Sequence, residues 1–386
     1  MRILTQSAVV LGLGLASLPR RKWSSLVIVA SMACVVGVLL SMLSFTTGML
    51  RAYRAGGDPR LAIVLSPEND TEYGNGIPAN AVGTILDAPG IARAADGHPL
   101  ADAEVLFWVP PMESHFTGSP ELRGIGAAGL ALRPNLRIVT GRMFRSGRLE
   151  LIVGMAAARA YHLHVGDRIL LPGGEWPIVG VFTDHGSILE GQLVGDVITL
   201  MSTAHMAGFG SVLVRLTRPD AFDAFSHWLT SNPALKVTAE RHSDYAARTV
   251  NLYAAFFVVL TYVIGAIMAI GALFATVKLT YTAVNARTHE IATLRAIGYE
   301  PLPVAVSVIL ETVILSLVAA ILGGAAAWLL FDGKLVADIH SVFDLSVPPR
   351  LFAVGIVWAL TLAILGGLPP AIRAARFTVA EGYRTL

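Results

Sequence analysis

Four long apolar stretches dominate the pattern of this chain. Residues 23–50 and 250–277 carry no charged side chain, residues 303–331 carry only Glu311, and residues 351–372 are uncharged up to Arg373. A helix needs roughly 20 apolar residues to cross about 30 Å of hydrocarbon, so each stretch is predicted to span a membrane. Their spacing is uneven, with one span, an insertion at residues 51–249, and then three spans.

Within the insertion Pro, Gly and charged residues return, and short segments replace the long apolar runs. Residues 167–182 read as a hairpin, two apolar-rich strands around Gly173-Gly174. Further strands are expected at 149–153, 196–201, 211–216 and 235–239, and helices at 156–162 and 219–230. These elements predict a mixed α/β domain, of two lobes. The predicted fold is therefore a polytopic α-helical membrane protein with four spans in a 1 + 3 arrangement and a large α/β extracytoplasmic domain between the first and second. Residues 1–22 are read as an interfacial helix with Leu4, Leu11 and Leu15 toward lipid, the alternative being a cleaved signal peptide.

Composition agrees: 54% of the 386 residues are hydrophobic and 15% charged, against about 25% charged in ordinary soluble domains. The positions of Lys and Arg set an expected orientation, because cytoplasmic flanks keep an excess of positive charge. Arg20, Arg21 and Lys22 precede the first span, Lys278, Arg287 and Arg295 lie in the 278–302 loop, and Arg373, Arg376 and Arg384 lie in the tail, 373–386. The 332–350 loop instead carries Asp332, Asp338 and Asp344 against Lys334 and Arg350. Both termini are thus expected in the cytoplasm, with the insertion outside. The lone Cys34 excludes an intrachain disulfide, and a net charge of +2 gives no reason to expect nucleic acid.

Several short motifs are set aside. Gly124-Ile-Gly126-Ala-Ala-Gly129 satisfies GxGxxG, but Pro120 before it and Arg133-Pro134 after it suggest a flexible loop instead of a strand-to-helix phosphate turn. His162 and His164 lack a third convergent ligand. His289-Glu290 begins like HExxH, but Thr293 stands where the second histidine belongs. No catalytic, cofactor or metal residues are assigned.

Residues 285–301 read as a short amphipathic helix. Ile291, Leu294 and Ile297 recur at helical spacing, Glu290 and Arg295 flank them, and Gly298 supplies a C-terminal stop before Pro301. Such a helix between two spans either passes force from a cytoplasmic partner or lies on the lipid surface. Glu311, a costly carboxylate within a span, is either a relay or substrate contact or a hydrogen-bonded packing residue. Gly265, Ala269, Gly271, Gly323 and Gly324, with Gly37, offer close helix packing, within the bundle or at a dimer seam through spans one and two.

At these residues the chain resembles the FtsX-like permeases of ABC transporters, the group of the MacB and LolC/LolE permeases. Arg287, Glu290, Ile291, Leu294, Arg295, Ala296, Ile297 and Gly298 carry the resemblance, which continues through Glu311 and Gly323-Gly324 to Pro370, Arg373 and Arg376. Gly141-Arg142, Val165-Gly166-Asp167 and Ile178-Val179-Gly180-Val181 look like the MacB-type extracytoplasmic core domain. The resemblance implies a permease subunit paired with a second, identical or related, and driven by a cytoplasmic ATPase dimer that holds ATP and Mg. No GxxxxGK[ST] phosphate loop occurs here, so no ATPase activity is expected of this chain. The implied function is export or extraction of an amphiphilic envelope substrate by mechanical transmission, among membrane lipids and with an adaptor or other extracytoplasmic protein as a further partner. The alternative is a transmitter without transported substrate that regulates a partner such as a wall hydrolase.

Overall fold

The computed structural model describes residues 22–55, 58–69, 71–109, 119–337 and 342–376, together with residue 12. The expected interfacial helix, Asp338 and Arg384 lie outside the described residues. In chain order the elements begin with helix α1 (Lys22–Arg54), strands β1 (Leu61–Leu65) and β2 (Ile77–Pro78), and helix α2 (Ala79–Leu86). Strands β3 (Ala101–Trp108) and β4 (Glu121–Ile125), helix α3 (Ala127–Ala131), strands β5 (Arg137–Gly141) and β6 (Leu151–Gly154) and helix α4 (Met155–Tyr161) follow. Next come β7 (Arg168–Leu171), β8 (Gly174–Thr183), β9 (Gln192–Asp196), helix α5 (Val197–Thr203), β10 (Gly208–Phe209), β11 (Ser211–Arg215), helix α6 (Phe222–Ser231) and β12 (Thr238–Arg241). The chain continues through α7 (His242–Asn285), α8 (Thr288–Ala296), α9 (Pro301–Phe331), β13 (Leu335–Ala337), β14 (Val342–Asp344) and α10 (Pro349–Arg376).

Two compact units result: residues 1–46, 255–332 and 346–386 form one, and residues 47–254 with 333–345 form the other. The first holds the membrane-length helices. α1, α7, α9 and α10 are each long and apolar enough to cross a bilayer, and all overrun the uncharged stretches. At 44 residues α7 is about 66 Å long, roughly twice the hydrocarbon thickness. Val36, Leu39 and Leu40 of α1 pack with Ala320 and Ala327 of α9 and with Leu351 and Ala359 of α10. Met32 and Val35 pack instead with Ala269 and Ala272 of α7 and Leu362 of α10.

In the second unit ten strands form one sheet among the described residues, in the order β12-β1-β11-β3-β4-β9-β6-β8-β5, with β7 paired to β8. The two expected lobes share this sheet. Toward one end Val64, Val212 and Val214 pack with Ile85, Phe225 and Leu229 of α2 and α6. Toward the other, Leu122, Val153, Leu193 and Trp176 pack with Ala157 of α4, while Ile125, Ile152, Phe182 and Val194 form a separate cluster. Adjacent residues of β6 and β9 thus fall into different clusters, which is why these strands are buried on both faces and show no alternation. β13 and β14 pair antiparallel and pack on this unit, with the Val342 backbone against Gly191.

Two readings are corrected. Residues 197–201 of the expected strand at 196–201 belong to helix α5, because Asp196, the last residue of β9, is its N-cap: the carboxylate accepts from Thr199 N at 3.0 Å and Thr199 Oγ1 at 2.6 Å. Gly124–Gly129 is not a flexible loop, since it links β4 to α3.

Candidate coupling site

α7 ends at Asn285, whose carbonyl accepts from Thr288 Oγ1 at 2.7 Å, and α8 starts immediately after. α8 stops in a Schellman motif: Tyr299 N donates to Leu294 O and Gly298 N to Arg295 O, both at 3.1 Å, with Gly298 at φ +101°. Pro301 then opens α9 at its first turn, where a missing N–H costs nothing. The turn chemistry therefore fixes both ends of a nine-residue helix.

The expected apolar face divides in two. Ile291 is 5% exposed and packs among Val284 of α7, Val304 and Val308 of α9, and Ala371 and Ala374 of α10. It anchors α8 within its own chain. Leu294 and Arg295 are half-buried, whereas Ile297 is 73% exposed and Leu302 also faces outward. Arg287 is nearly enclosed. Its Nε lies 3.1 Å from Glu290 Oε2 and its Nη1 3.4 Å from Glu311 Oε2. Glu311 thus shares a cation with the turn that starts α8, 24 residues earlier. Opposite charge on an enclosed carboxylate offsets much of the cost of placing it in a span.

In the α/β unit, charged side chains of the central strands meet on one side. Arg123 of β4 donates to Glu72 Oε2 at 2.5 Å, to Glu104 Oε2 of β3 at 2.7 Å, and to Gln192 Oε1 of β9 at 2.8 Å. Arg133 reaches both oxygens of Glu104, at 2.7 and 2.8 Å. Gln192 Nε2 and Tyr73 Oη donate to Glu121, at 2.6 and 2.5 Å. Burial opposes charge on Glu104, but Arg133 and Arg123 outweigh it and hold its carboxyl below the usual range. Burial instead pushes Glu121 up, since its partners are neutral apart from a more distant Arg123. Asp184, also buried, is likewise pushed up, and Ser187 Oγ donates to it at 2.5 Å.

The FtsX-like permease C-terminal family matches residues 253–379, and the MacB-like periplasmic core domain matches residues 25–231, more than half of the chain. The chain belongs to the FtsX/MacB-type permeases. Among solved structures, the periplasmic region of MacB from Actinobacillus actinomycetemcomitans is similar at 15% identity and TM-score 0.38, over 51% of this chain and 95% of that one. The extracellular domain of the noncanonical ABC-type transporter YknZ from Gram-positive bacteria is similar at 13% identity and TM-score 0.36, over 47% and 98%. No curated protein matches. This permease is a multi-pass membrane component of the ABC transporter type, a component that is generally not the catalytic one.

Its small residues are used unevenly. A Cβ on Gly323 would lie 2.4 Å from Ala33 O, so the backbones of α9 and α1 touch there, and one on Gly324 would meet the Phe352 ring at 2.9 Å. Ala269 is buried in the cluster with Met32 and Val35, and Gly265 faces Leu39. Gly271 has nothing within 4 Å of a Cβ position. The permease therefore uses most of these positions within one chain. Spacing placed Ile297 on the apolar face but did not show that it is exposed, nor that Arg287 and Glu311 pair, although both residues of the pair belong to the matched motif.

Proposed function

We propose that this permease is the membrane subunit of an inner-membrane ABC system, with both termini cytoplasmic, that exports or extracts an amphiphilic envelope substrate. A separate cytoplasmic ATPase dimer, carrying ATP and Mg, closes and pushes on α8. A second permease subunit completes the membrane part, and the α/β domain moves outside, where an adaptor or other extracytoplasmic protein receives it. The observation that carries this reading is the division of α8: Ile291 and Arg287 tie the helix to α7, α9 and α10, while Ile297 and half-exposed Leu294 are left on its free side. A helix fixed on one side and apolar on the other passes displacement onward without melting.

The test is Ile297→Asp or Leu294→Asp in the complex assembled with its ATPase. Either variant is expected to fold yet lose permease-dependent stimulation of ATP hydrolysis by about tenfold, the effect of a charge placed in an apolar contact worth roughly 1.4 kcal/mol or more. Unchanged binding and stimulation in both variants would remove α8 from the coupling path.

A further inference from the structure

We propose that the α/β unit holds a binding cavity for a small amphiphilic organic cation, an alkylammonium of about ten non-hydrogen atoms or fewer. The inference goes beyond the transport reading and does not depend on it, since it concerns binding to this chain without its ATPase.

The cavity encloses about 250 Å³. That is room for about eight waters at roughly 30 Å³ each, and lies just below the usual range of ligand pockets. Its rim includes the exposed Pro134 and Asn135, which gives a ligand a way in. One part of the wall is apolar: Leu61, Ile63, Leu132, Leu189 and Leu213, all buried. The other part is charged, with Asp58, Glu72, Glu104 and Asp184 against Arg123 and Arg133.

Three of the four carboxylates have a cation in contact, and the fourth does not. Glu104 is held by Arg123 and Arg133, and Glu72 by Arg123. Asp58 is held by Arg60 at 3.0 Å and Arg215 at 3.6 Å. Asp184, at 7% exposure, forms no ion pair in contact among the described residues; its side-chain partner is the neutral Ser187 hydroxyl, and Arg133 and His185 act on it only from farther away. The 184–187 turn that presents it is fastened by Glu190, whose Oε1 accepts from Asp184 N at 2.6 Å and Gly186 N at 2.9 Å. A buried carboxylate without a cation is costly, and an incoming ammonium relieves that cost with a charge-assisted hydrogen bond. The buried ring of His242 also contributes to the lining. The site thus combines a fixed carboxylate and an aliphatic wall, which together select a protonated amine on a short apolar body. An anion would have to approach Asp184 with Arg123 and Arg133 already engaged by Glu72 and Glu104.

The experiment is equilibrium dialysis of the full chain in lipid nanodiscs, with empty nanodiscs as the blank for partitioning. The probes are hexylammonium, hexanol, hexanoate and the bare ammonium ion. Hexylammonium is expected to bind saturably at one site per chain and at least tenfold more tightly than any of the other three. Asp184→Asn is expected to weaken it at least tenfold. Should that variant fail to give the wild-type unfolding profile, Asn135→Trp, a bulky side chain on the exposed rim, takes its place with the same expected loss. Equal binding of hexanol, preferential binding of hexanoate, or undiminished binding in the folded Asp184→Asn variant or its Asn135→Trp replacement overturns the proposal.

Discussion

Arg123→Met is the sharpest test of how the α/β unit is held together. Methionine keeps much of the length of the arginine stem but removes the bonds to Glu72, Glu104 and Gln192. Removing one member of a buried ion pair costs about 3–5 kcal/mol, because the remaining charge stays desolvated. The geometry places this case at the low end. Glu104, at 1% exposure, keeps both contacts to Arg133, and the Glu72 side chain, at 12%, has some access to water. A loss of about 3 kcal/mol in a unit of this size lowers the unfolding midpoint by about 6–12 °C. The assay is thermal unfolding of the full chain in nanodiscs, followed by tryptophan emission, to which the fully buried Trp176 contributes.

The same variant has a pH signature. In the wild type, Glu104 has its carboxyl held below the usual range, so its contribution is present above the unfolded value and lost as pH falls. In Arg123→Met one of its two cations is gone and its folded value rises, so the variant's deficit is largest near pH 8 and shrinks toward pH 4. Glu104→Gln in the Arg123→Met background is expected to recover part of the loss. A midpoint shift below about 2 °C, or strictly additive single and double variants, would refute the claim that these charges form one coupled network.

Gly323→Val drives a Cβ into the Ala33 carbonyl and is expected to cost about 1–3 kcal/mol or prevent folding, whereas Gly271→Val, facing open space, is expected to be near neutral; comparable unfolding midpoints would refute the α1–α9 contact. Arg287→Gln and Glu311→Gln are expected to show an interaction energy of about 1–3 kcal/mol in a double-mutant cycle on thermal stability, and additivity would mean that the pair is idle.

The membrane helices were legible because nothing else in a protein produces charge-free runs beyond the length of a bilayer. Their true ends were not, since the charged turns at Lys22, Arg54 and His242–Asp244 remain helical without being apolar. The hairpin at 168–183 stood out by its Gly-Gly turn and intact alternation. The centre of the sheet did not stand out, because β3 and β4 bury Asp102, Glu104, Glu121 and Arg123, residues that read as surface until the strands are paired. Asp196 misled in the opposite sense: it begins an apolar run that looks like a strand, yet its carboxylate caps a helix. At the coupling site the helix and its glycine stop were readable from spacing. Which face is free was not, because Ile291 is buried by residues from three other helices.

The glycine-rich segment shows why a motif and its usual chemistry can part company even when the local geometry is right. Gly124–Gly129 does run from a strand into a helix, the arrangement that lets backbone N–H groups receive a phosphate. Here that position is already filled. Asp102 Oδ2 accepts from Gly126 N at 2.8 Å, and a Cβ on Gly126 or Gly129 would stand 2.5 or 2.3 Å from the Asp102 carboxylate. The glycines are therefore needed for an internal anion, not an external one. Burial, and then the neighbouring Glu104, push the Asp102 carboxyl up to about 7, even though the helix backbone favours its charge. A phosphate entering this turn would have to displace the Asp102 side chain, which is fixed on β3 and bonded to Gly126 N.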